Sequence, residues 1–358
     1  MKIEKSLKIG LLSTALLIQG VYAESVWTKY GWQIFNMAGD ARSVALGNSF
    51  GSGGNSRGDA LWNPALDFSQ INNEIIYGHQ SRFAGIIQND LFALPLEIKD
   101  QPLGIILLHE SIDHIPNTTN ALTDWGLDGV PETGDFGEGN GIIDEGDRID
   151  ADKIKYFRQS QYAIHISSSW NVKDWRFGVA VKTLFHKLGD NSSTGVGFDI
   201  GVLRSLWTGA QLGASIIDAT TSWQVWDNGT VEKFAPRMSI GMQQSFDFSY
   251  LPLGFTVFTD MLVNTSGRSL SDDFHINNIG GNFKIGLELH YDNLIYTRFG
   301  RNQTGVFSTG IGLNLKKLSL NYALQFENSQ LNIGKSHFMS FSIDVDWLVS
   351  LYNKLKKQ

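Results

Sequence analysis

The sequence predicts an all-β protein, a transmembrane antiparallel β-barrel of about 14 strands. In WRFGVAVKTLF, residues 175–185, every second residue from Trp175 to Val181 is apolar, and most residues between them are small or charged. A strand directs successive side chains to opposite faces, so such a stretch has one apolar and one polar face. Glycine is abundant (38 residues), proline is scarce (7), and aromatic residues make up 12% of the chain. This composition is typical of long strands joined by tight turns.

We interpret 14 stretches as strands, most of them long enough to cross a membrane at a tilt. They are residues 72–83, 86–95, 103–112, 160–170, 175–186, 195–205, 208–217, 236–246, 253–263, 281–291, 294–300, 305–315, 318–327 and 337–347. If the first strand runs outward, the inner connections are short and the outer ones mostly long, as in outer-membrane barrels. A soluble β-sandwich is the alternative, because it would bury the same apolar faces in its core.

The polar faces are rich in glycine, serine and asparagine, and aromatic residues lie near strand ends, which favours the barrel. We therefore expect an integral protein of the outer membrane of a Gram-negative-type bacterium, with membrane lipid around it. Residues 1–23 have the basic start, short apolar run and small final residues of a secretory signal peptide. An N-terminal anchor helix is the alternative interpretation of this segment.

Charge and composition exclude several other classes. The net charge is -7 at pH 7 and becomes more negative without the first 23 residues, so nucleic acid is not an expected partner. The chain has no cysteine, which excludes disulfides and a lipid-modified cysteine. Beyond the signal peptide, no stretch reaches 18 apolar residues, which excludes a helical membrane protein. The sequence has no nucleophile elbow, phosphate loop or zinc-protease motif, so we predict that it is not an enzyme.

Residues 38–68, AGDARSVALGNSFGSGGNSRGDALWNPALDF, carry a motif of their own. The stretch resembles the N-terminal motif of the PorV/PorQ family of outer-membrane proteins, which belong with the FadL-type barrels. The positions that match the family pattern are Arg42, Leu46, Gly47, Asp59, Trp62, Asn63, Pro64 and Ala65.

The resemblance implies that residues 24–71 fold into the lumen as a plug or hatch and that residues 72–347 form the barrel. Local chemistry is consistent with this, because glycines allow tight turns and an Asn-Pro pair favours one. Trp62, Leu66 and Phe68 would then be apolar anchors against the inner wall. A simple leader into the first strand is the alternative.

The resemblance also implies a function. PorV-like members are associated with type IX protein secretion, so we expect an accessory that binds cargo or the secretion translocon. An outer loop, residues 218–235, offers apolar candidates for partner binding. They are Trp223, Val225, Trp226 and Phe234. A FadL-like channel for uptake of hydrophobic small molecules is the alternative, and a structural barrel without transport is a third.

The longest expected outer loop, residues 113–159, is strongly acidic. Its stretch EGNGIIDEGD resembles the second part of an EF-hand-type calcium loop with Gly141 at the sixth position. The candidate ligands are Asp135, Glu138, Asn140, Ile142 (through its carbonyl), Asp144 and Asp147. Phe136 stands at the first position, so Asp135 or Asp128 would substitute there. A merely solvated acidic loop is the alternative to a structural calcium site.

The last segment, residues 348–358, follows the expected end of the final strand. Leu348, Leu351, Tyr352 and Leu355 form an apolar stripe at helical spacing, with lysines beside it. We expect a periplasmic amphipathic helix lying against the membrane, with a frayed tail as the alternative.

Overall fold

A computed structural model describes residues 32–54, 56–66, 73–99, 101–265, 272–277, 279–326 and 334–356. The expected signal peptide and Phe68 lie outside the described residues. Within them, no helix is both long enough and apolar enough to cross a membrane.

Fourteen antiparallel strands form the barrel, as the sequence predicts. They are β1 (Glu74–Arg82), β2 (Ile87–Ile98), β3 (Gln101–Asn117), β4 (Lys155–Val172), β5 (Trp175–Leu188), β6 (Asn191–Ser205), β7 (Ala210–Ile217), β8 (Arg237–Asp247), β9 (Leu253–Asn264), β10 (Ile279–Tyr291), β11 (Ile295–Arg301), β12 (Phe307–Asn314), β13 (Leu318–Gln325) and β14 (Ser336–Asp344). Two short helices, α1 (Gln33–Met37) and α2 (Ala41–Ala45), precede the barrel, and α3 (Val345–Leu355) follows it.

The barrel is closed because its first and last strands pair. β1 pairs with β14 from Glu74 opposite Asp344 to Ser81 opposite His337. Each strand also pairs with its neighbours in the chain, and a register shift interrupts β3 and β4 between Ile112 and Ile115. Closure satisfies every strand edge, which a membrane interior requires because it offers no water to unpaired backbone groups. The soluble sandwich is therefore not the fold.

The alternation of side chains follows the barrel wall. On β5, Phe177, Val179 and Val181 point outward and are about two-fifths exposed, whereas Lys182 and Leu184 point inward and are buried. Phe338 of β14 is likewise buried on the inner side. Outward apolar residues recur on the other strands, and this band is what a lipid bilayer would cover.

The connections also alternate as expected. Those at the inner end, such as 173–174, 206–209 and 292–294, are short. Long outer connections contain short strands of their own. Leu122–Thr123 pairs with Arg148–Ile149, Ser222–Trp226 pairs with Val231–Phe234 and with β6, and Phe274–Ile276 pairs with β10. Because β3 and β4 extend beyond their predicted ends, the acidic loop is residues 118–154 rather than 113–159.

The end of the barrel differs from the prediction. β14 stops at Asp344 rather than Trp347, and α3 begins at Val345 rather than near Leu348. The carboxylate of Asp344 accepts a hydrogen bond from the backbone N–H of Trp347 (2.7 Å), which caps the helix. Alternation fails at the Leu348–Val349 pair, and from there the apolar residues follow helical spacing. The C-terminal helix itself is confirmed.

Candidate functional site in the barrel lumen

The N-terminal segment, residues 32–54 and 56–66, packs against the inward faces of the barrel strands. It consists of α1, α2, a 3-10 turn at Arg57–Leu61, and extended links. Most of its side chains are buried, including polar ones such as Asp40, Ser43 and Asn63. We call this segment and the wall positions that touch it the lumen site.

Two carboxylates fold the segment onto itself. Asp40 caps α2 by accepting from the backbone N–H of Ser43 (2.7 Å), and it also accepts from the hydroxyl of Ser56 (2.8 Å). Asp59 accepts from the backbone N–H of Ser56 (3.0 Å) and from the hydroxyl of Ser43 (3.1 Å). These bonds join the two turns of the segment to each other, independently of its contacts with the wall.

Arg42 connects the segment to the wall through a buried ion pair. Its guanidinium forms two bonds with the carboxylate of Glu288 on β10, Nε to Oε2 at 3.0 Å and Nη2 to Oε1 at 3.1 Å. Arg298 on β11 donates to the same carboxylate at 2.6 Å. Two-point pairing of this kind is strong and directional. Arg42 also lies 5.1 Å from the ring centroid of Phe50.

The Asn63-Pro64 turn is held against strands β5 to β7. The amide nitrogen of Asn63 donates to the carbonyl of Gly51 (2.6 Å), and its side-chain oxygen accepts from the N–H of Ala65 (2.9 Å). Ser215 on β7 donates to the carbonyl of Trp62 (2.9 Å). The asparagine therefore satisfies backbone groups that the proline turn leaves without partners.

Lys284 and Asp260 hold the middle of the segment. The Nζ of Lys284 on β10 lies 3.1 Å from Asp260 on β9 and donates to the carbonyl of Asn48 at 2.7 Å. Asp260 accepts from the backbone N–H of Gly51 at 2.7 Å. The backbone of the segment thus supplies hydrogen bonds to two buried charges of the wall.

A third charged cluster lies under the outer connection that begins at Asp218. Asp218 accepts from Lys182 Nζ (2.7 Å), Ser222 (2.6 Å) and the indole N–H of Trp32 (2.8 Å). Burial by itself would raise the pKa of Asp218, but the charges of Lys182 and Arg237 outweigh it, so this pKa is lowered. Asp218 therefore stays ionised at neutral pH and holds the first described residue of the segment.

Wall glycines mark where the segment approaches most closely. A Cβ at Gly178 would overlap the backbone of Pro64 and Ala65, and one at Gly201 would overlap the side chain of Asn63. The same holds elsewhere around the wall. Gly195 and Gly197 face the ring of Trp32, Gly213 faces the carbonyl of Gly51, Gly300 faces Gly47, and Gly310 faces Ala45. The glycine-rich inner faces are thus explained by a chain lying against them.

The structure brings all eight predicted hatch residues into the lumen site. Arg42 and Asp59 are 3.4 Å apart, Leu46 is buried beside Ala65, and Trp62 packs between two apolar clusters. Gly47, at a φ of 65°, ends α2 against the backbone of Arg301.

The charged wall residues that hold the segment were not predicted from the sequence. These are Lys182, Asp218, Asp260, Lys284 and Glu288, with Asp199 paired to Lys182 and Arg298 paired to Glu288. For those on strands, the signal in the sequence is one or two charged residues within an otherwise small, polar strand face.

The predicted partner-binding loop is divided between two roles. Phe234 stacks on Trp32 with ring centroids 5.5 Å apart, so it belongs to the lumen site. Trp223 and Trp226 are half-buried on an outer hairpin, where the ring of Trp226 lies 5.0 Å from that of His186. Val225 is exposed.

The acidic loop forms a compact run of turns. Asp147 accepts from the backbone N–H groups of Asp144 (2.9 Å), Trp125 (2.8 Å) and Gly126 (3.0 Å), and these bonds lower its pKa. Asn140 donates to Asp144 at 2.6 Å. Other candidate ligands also bond to the loop backbone, Glu138 to the N–H of Gly134 and Asp135 to that of Asp128. The backbone N–H of Ile142 donates to the side chain of Asn140.

Across the residues with a described position, no three histidine or acidic side chains are arranged to hold a metal ion. Calcium binding by this loop stays a prediction.

Substitution of a wall glycine should loosen the lumen site. In Gly178→Ala the added methyl group overlaps Pro64, and relief of such overpacking costs about 1–3 kcal/mol. Hydrogen exchange measured by mass spectrometry should therefore show faster exchange in residues 56–66, with barrel strands unchanged. Gly78→Ala is the matched control, because its Cβ would meet no atom closer than 3.7 Å. Equal exchange in the two variants would contradict the packing described.

Calcium removal should expose the acidic loop to protease. If calcium bridges its carboxylates, a chelator should leave the barrel folded by gel mobility but increase cleavage within residues 118–154. Asp144→Asn should show the same cleavage even with calcium, whereas Asp190→Asn, in a tight outer turn, should behave as the unaltered protein. Cleavage that does not respond to chelator would show the loop to be merely solvated.

Comparison with solved structures finds barrels of similar fold. The toluene transporter TodX of Pseudomonas putida aligns with a TM-score of 0.54 at 13% identity, over 90% of this chain and 100% of that chain. The monoaromatic hydrocarbon channel CymD aligns with a TM-score of 0.53 at 11% identity, over 85% and 97%. A Pseudomonas aeruginosa FadL homologue aligns more loosely, with a TM-score of 0.42 at 12% identity, over 85% and 98%.

No protein-family model matches the sequence, and no curated protein matches it. The PorV/PorQ assignment therefore stays a prediction. At the identities found, the likeness to TodX and CymD shows a shared fold, and those neighbours are channels rather than enzymes. The chain has the barrel fold of the TodX and CymD hydrocarbon channels.

Proposed function

We propose that this protein is an outer-membrane channel for hydrophobic small molecules and that the N-terminal segment is a hatch across its lumen. The observation that carries the proposal is a chain segment packed against the inner wall of a barrel with the fold of hydrocarbon channels. The outward apolar band supports an integral position in the outer membrane, surrounded by lipid.

The lumen has an apolar side that suits such a substrate. The residues of this side come from both the hatch and strands β1 to β5. They are Trp32, Ile34, Phe35, Ala38, Ala60, Leu61, Ile76, Leu91, Ala93, Ile106, Leu108, Ala163 and Leu184. If the hatch moved away from these strands, an apolar surface would line one side of the passage. An apolar solute would gain by contact with it, at roughly 25 cal/mol per Å² of buried apolar area.

The volumes of the cavities support a hatch that moves. The space between the hatch and β7 to β9 is about 20 Å³, room for one water molecule. An aromatic hydrocarbon needs a cavity of roughly 150 Å³. A larger cavity of about 330 Å³ opens at the inner end, but its lining includes Arg42, Arg298, Glu74 and Lys317. A cavity with this polar lining does not suit a hydrocarbon. We therefore propose that it is the exit below the hatch and not a binding site.

A second candidate function is an accessory role in type IX secretion, as the PorV/PorQ resemblance implies. Exposed apolar side chains on the acidic loop favour it: Phe136 is 85% exposed, and Ile142 and Ile143 are each 64% exposed. A translocon subunit or cargo protein could cover such side chains. Without one, they would stay in contact with water at the cell surface.

Uptake measurements test the channel proposal. Cells that lack their own hydrocarbon channel should take up radiolabelled toluene several-fold faster when they express the protein. Trp62→Ala should change this rate, because Trp62 lies between the two apolar clusters of the hatch. Trp207→Ala is the matched control, since Trp207 lies in an inner turn, 60% exposed.

The proposal fails if expression of a folded barrel leaves uptake at the level of the empty vector. Gentle extraction followed by native mass spectrometry then separates the alternatives. A large polypeptide bound to the barrel would support the secretion role. A bound apolar molecule would support the channel and its hatch.

A further inference from the structure

Helix α3 has an apolar side and a polar side. Successive helical residues are about 100° apart, so spacing assigns each residue to a side. The apolar side consists of Val345, Trp347, Leu348, Val349, Leu351, Tyr352 and Leu355. The polar side carries Asp346, Ser350, Asn353 and Lys354, and Lys356 follows the last turn as the C-cap residue.

The apolar side of α3 does not pack against the described part of the chain. None of the helix residues is buried, and Leu351, Tyr352 and Leu355 are 40%, 63% and 63% exposed. An isolated helix of this length is marginal in water. A surface that covers the apolar side would therefore stabilise it.

Hydrogen bonds fix the start of α3 to the inner rim of the barrel. The N–H of Val345 donates to the carbonyl of Asn73 (2.6 Å), and the side chain of Asn73 donates to Asp346 (3.3 Å). Lys317, in the turn before β13, donates to the capping carboxylate of Asp344 at 2.8 Å. The helix therefore begins at the rim of the barrel and cannot move far from it.

The lipid-facing band of β14 leads directly to this helix. Met339 and Phe341 point outward and are 58% and 41% exposed, and β14 ends three residues after Phe341. The apolar side of α3 thus continues a surface that the bilayer already covers. Lys354 and Lys356 supply positive charge, which suits the phosphates of lipid headgroups.

We propose that α3 lies in the interface of the inner leaflet, with its apolar side among the acyl chains and its lysines at the phosphates. Its partner is phospholipid. This inference requires the barrel to be in a membrane, but it does not require the barrel to conduct hydrocarbon.

Spin labels test the placement, because the chain contains no cysteine. Four single variants carry a nitroxide on the whole protein in phosphatidylethanolamine–phosphatidylglycerol vesicles: Leu348→Cys and Leu355→Cys on the apolar side, Ser350→Cys and Asn353→Cys on the polar side. Power saturation then compares collision with oxygen, which enters lipid, and with a water-soluble nickel chelate.

At positions 348 and 355, collision with oxygen should exceed collision with nickel several-fold, and positions 350 and 353 should show the reverse. Equal access to nickel at all four positions would overturn the proposal in favour of a solvated tail. Shielding of 348 and 355 from both reagents would overturn it in favour of a protein contact.

A charge reversal tests how much the lysines contribute to membrane binding, separately from the apolar side of the helix. With the label at position 355, Lys354→Glu combined with Lys356→Glu should reduce the oxygen-to-nickel ratio in vesicles containing phosphatidylglycerol. In purely zwitterionic vesicles the reduction should be smaller. The same reduction in both kinds of vesicle would show that the lysines do not contact anionic headgroups.

Discussion

The buried pairing of Arg42 with Glu288 determines how the rest of the lumen is arranged. A guanidinium taken out of water needs a partner of opposite charge with good geometry, and breaking such a pair costs about 3–5 kcal/mol. Glu288 is fixed on β10, so the helix that carries Arg42 has one position in the barrel. At that position the end of α2 meets Gly300 and Gly310, where no larger residue would fit.

Other buried charges of the wall also bond to the N-terminal segment. Asp260 and Lys284 satisfy the backbone of the hatch, and Asp218 binds Trp32. Each of these charges would be left without its hatch partner if the hatch moved while the lumen stayed dry. Movement therefore requires water to enter as the hatch leaves, since water can solvate the exposed charges. Because Phe234 stacks on Trp32, the outer hairpin 222–234 is in direct contact with the start of the segment.

Much of the fold could be predicted because a strand in a membrane barrel has a simple period. β5 and β14 were recognised from alternation alone, and the short inner turns set the direction of the strands. Alternation could not show where β14 ends, because Val345, Asp346 and Trp347 continue it before the capping bond of Asp344 starts a helix.

The N-terminal segment is placed against the inner wall only through the resemblance, since residues 38–66 have no period of their own. Its partners Glu288, Lys182 and Asp260 are far apart in sequence, and only the closed barrel brings them together. The PorV/PorQ resemblance led us to expect a secretion accessory first, whereas the channel is the function that we propose. A short motif that many related barrels share predicts a structural element better than it predicts a substrate.

A reversible lock on the hatch tests its role most directly. Cysteines at Ala41 and Ser340, where the backbone N–H of one residue lies 3.2 Å from the hydroxyl of the other, would tie α2 to β14 in a chain without other cysteines. The measurement is toluene uptake before and after reduction, with mass spectrometry to verify the cross-link and Ala41→Cys alone as the control. If the hatch opens the passage, the cross-link should abolish uptake and reduction should restore it. Unchanged uptake through a fully cross-linked barrel would contradict a moving hatch.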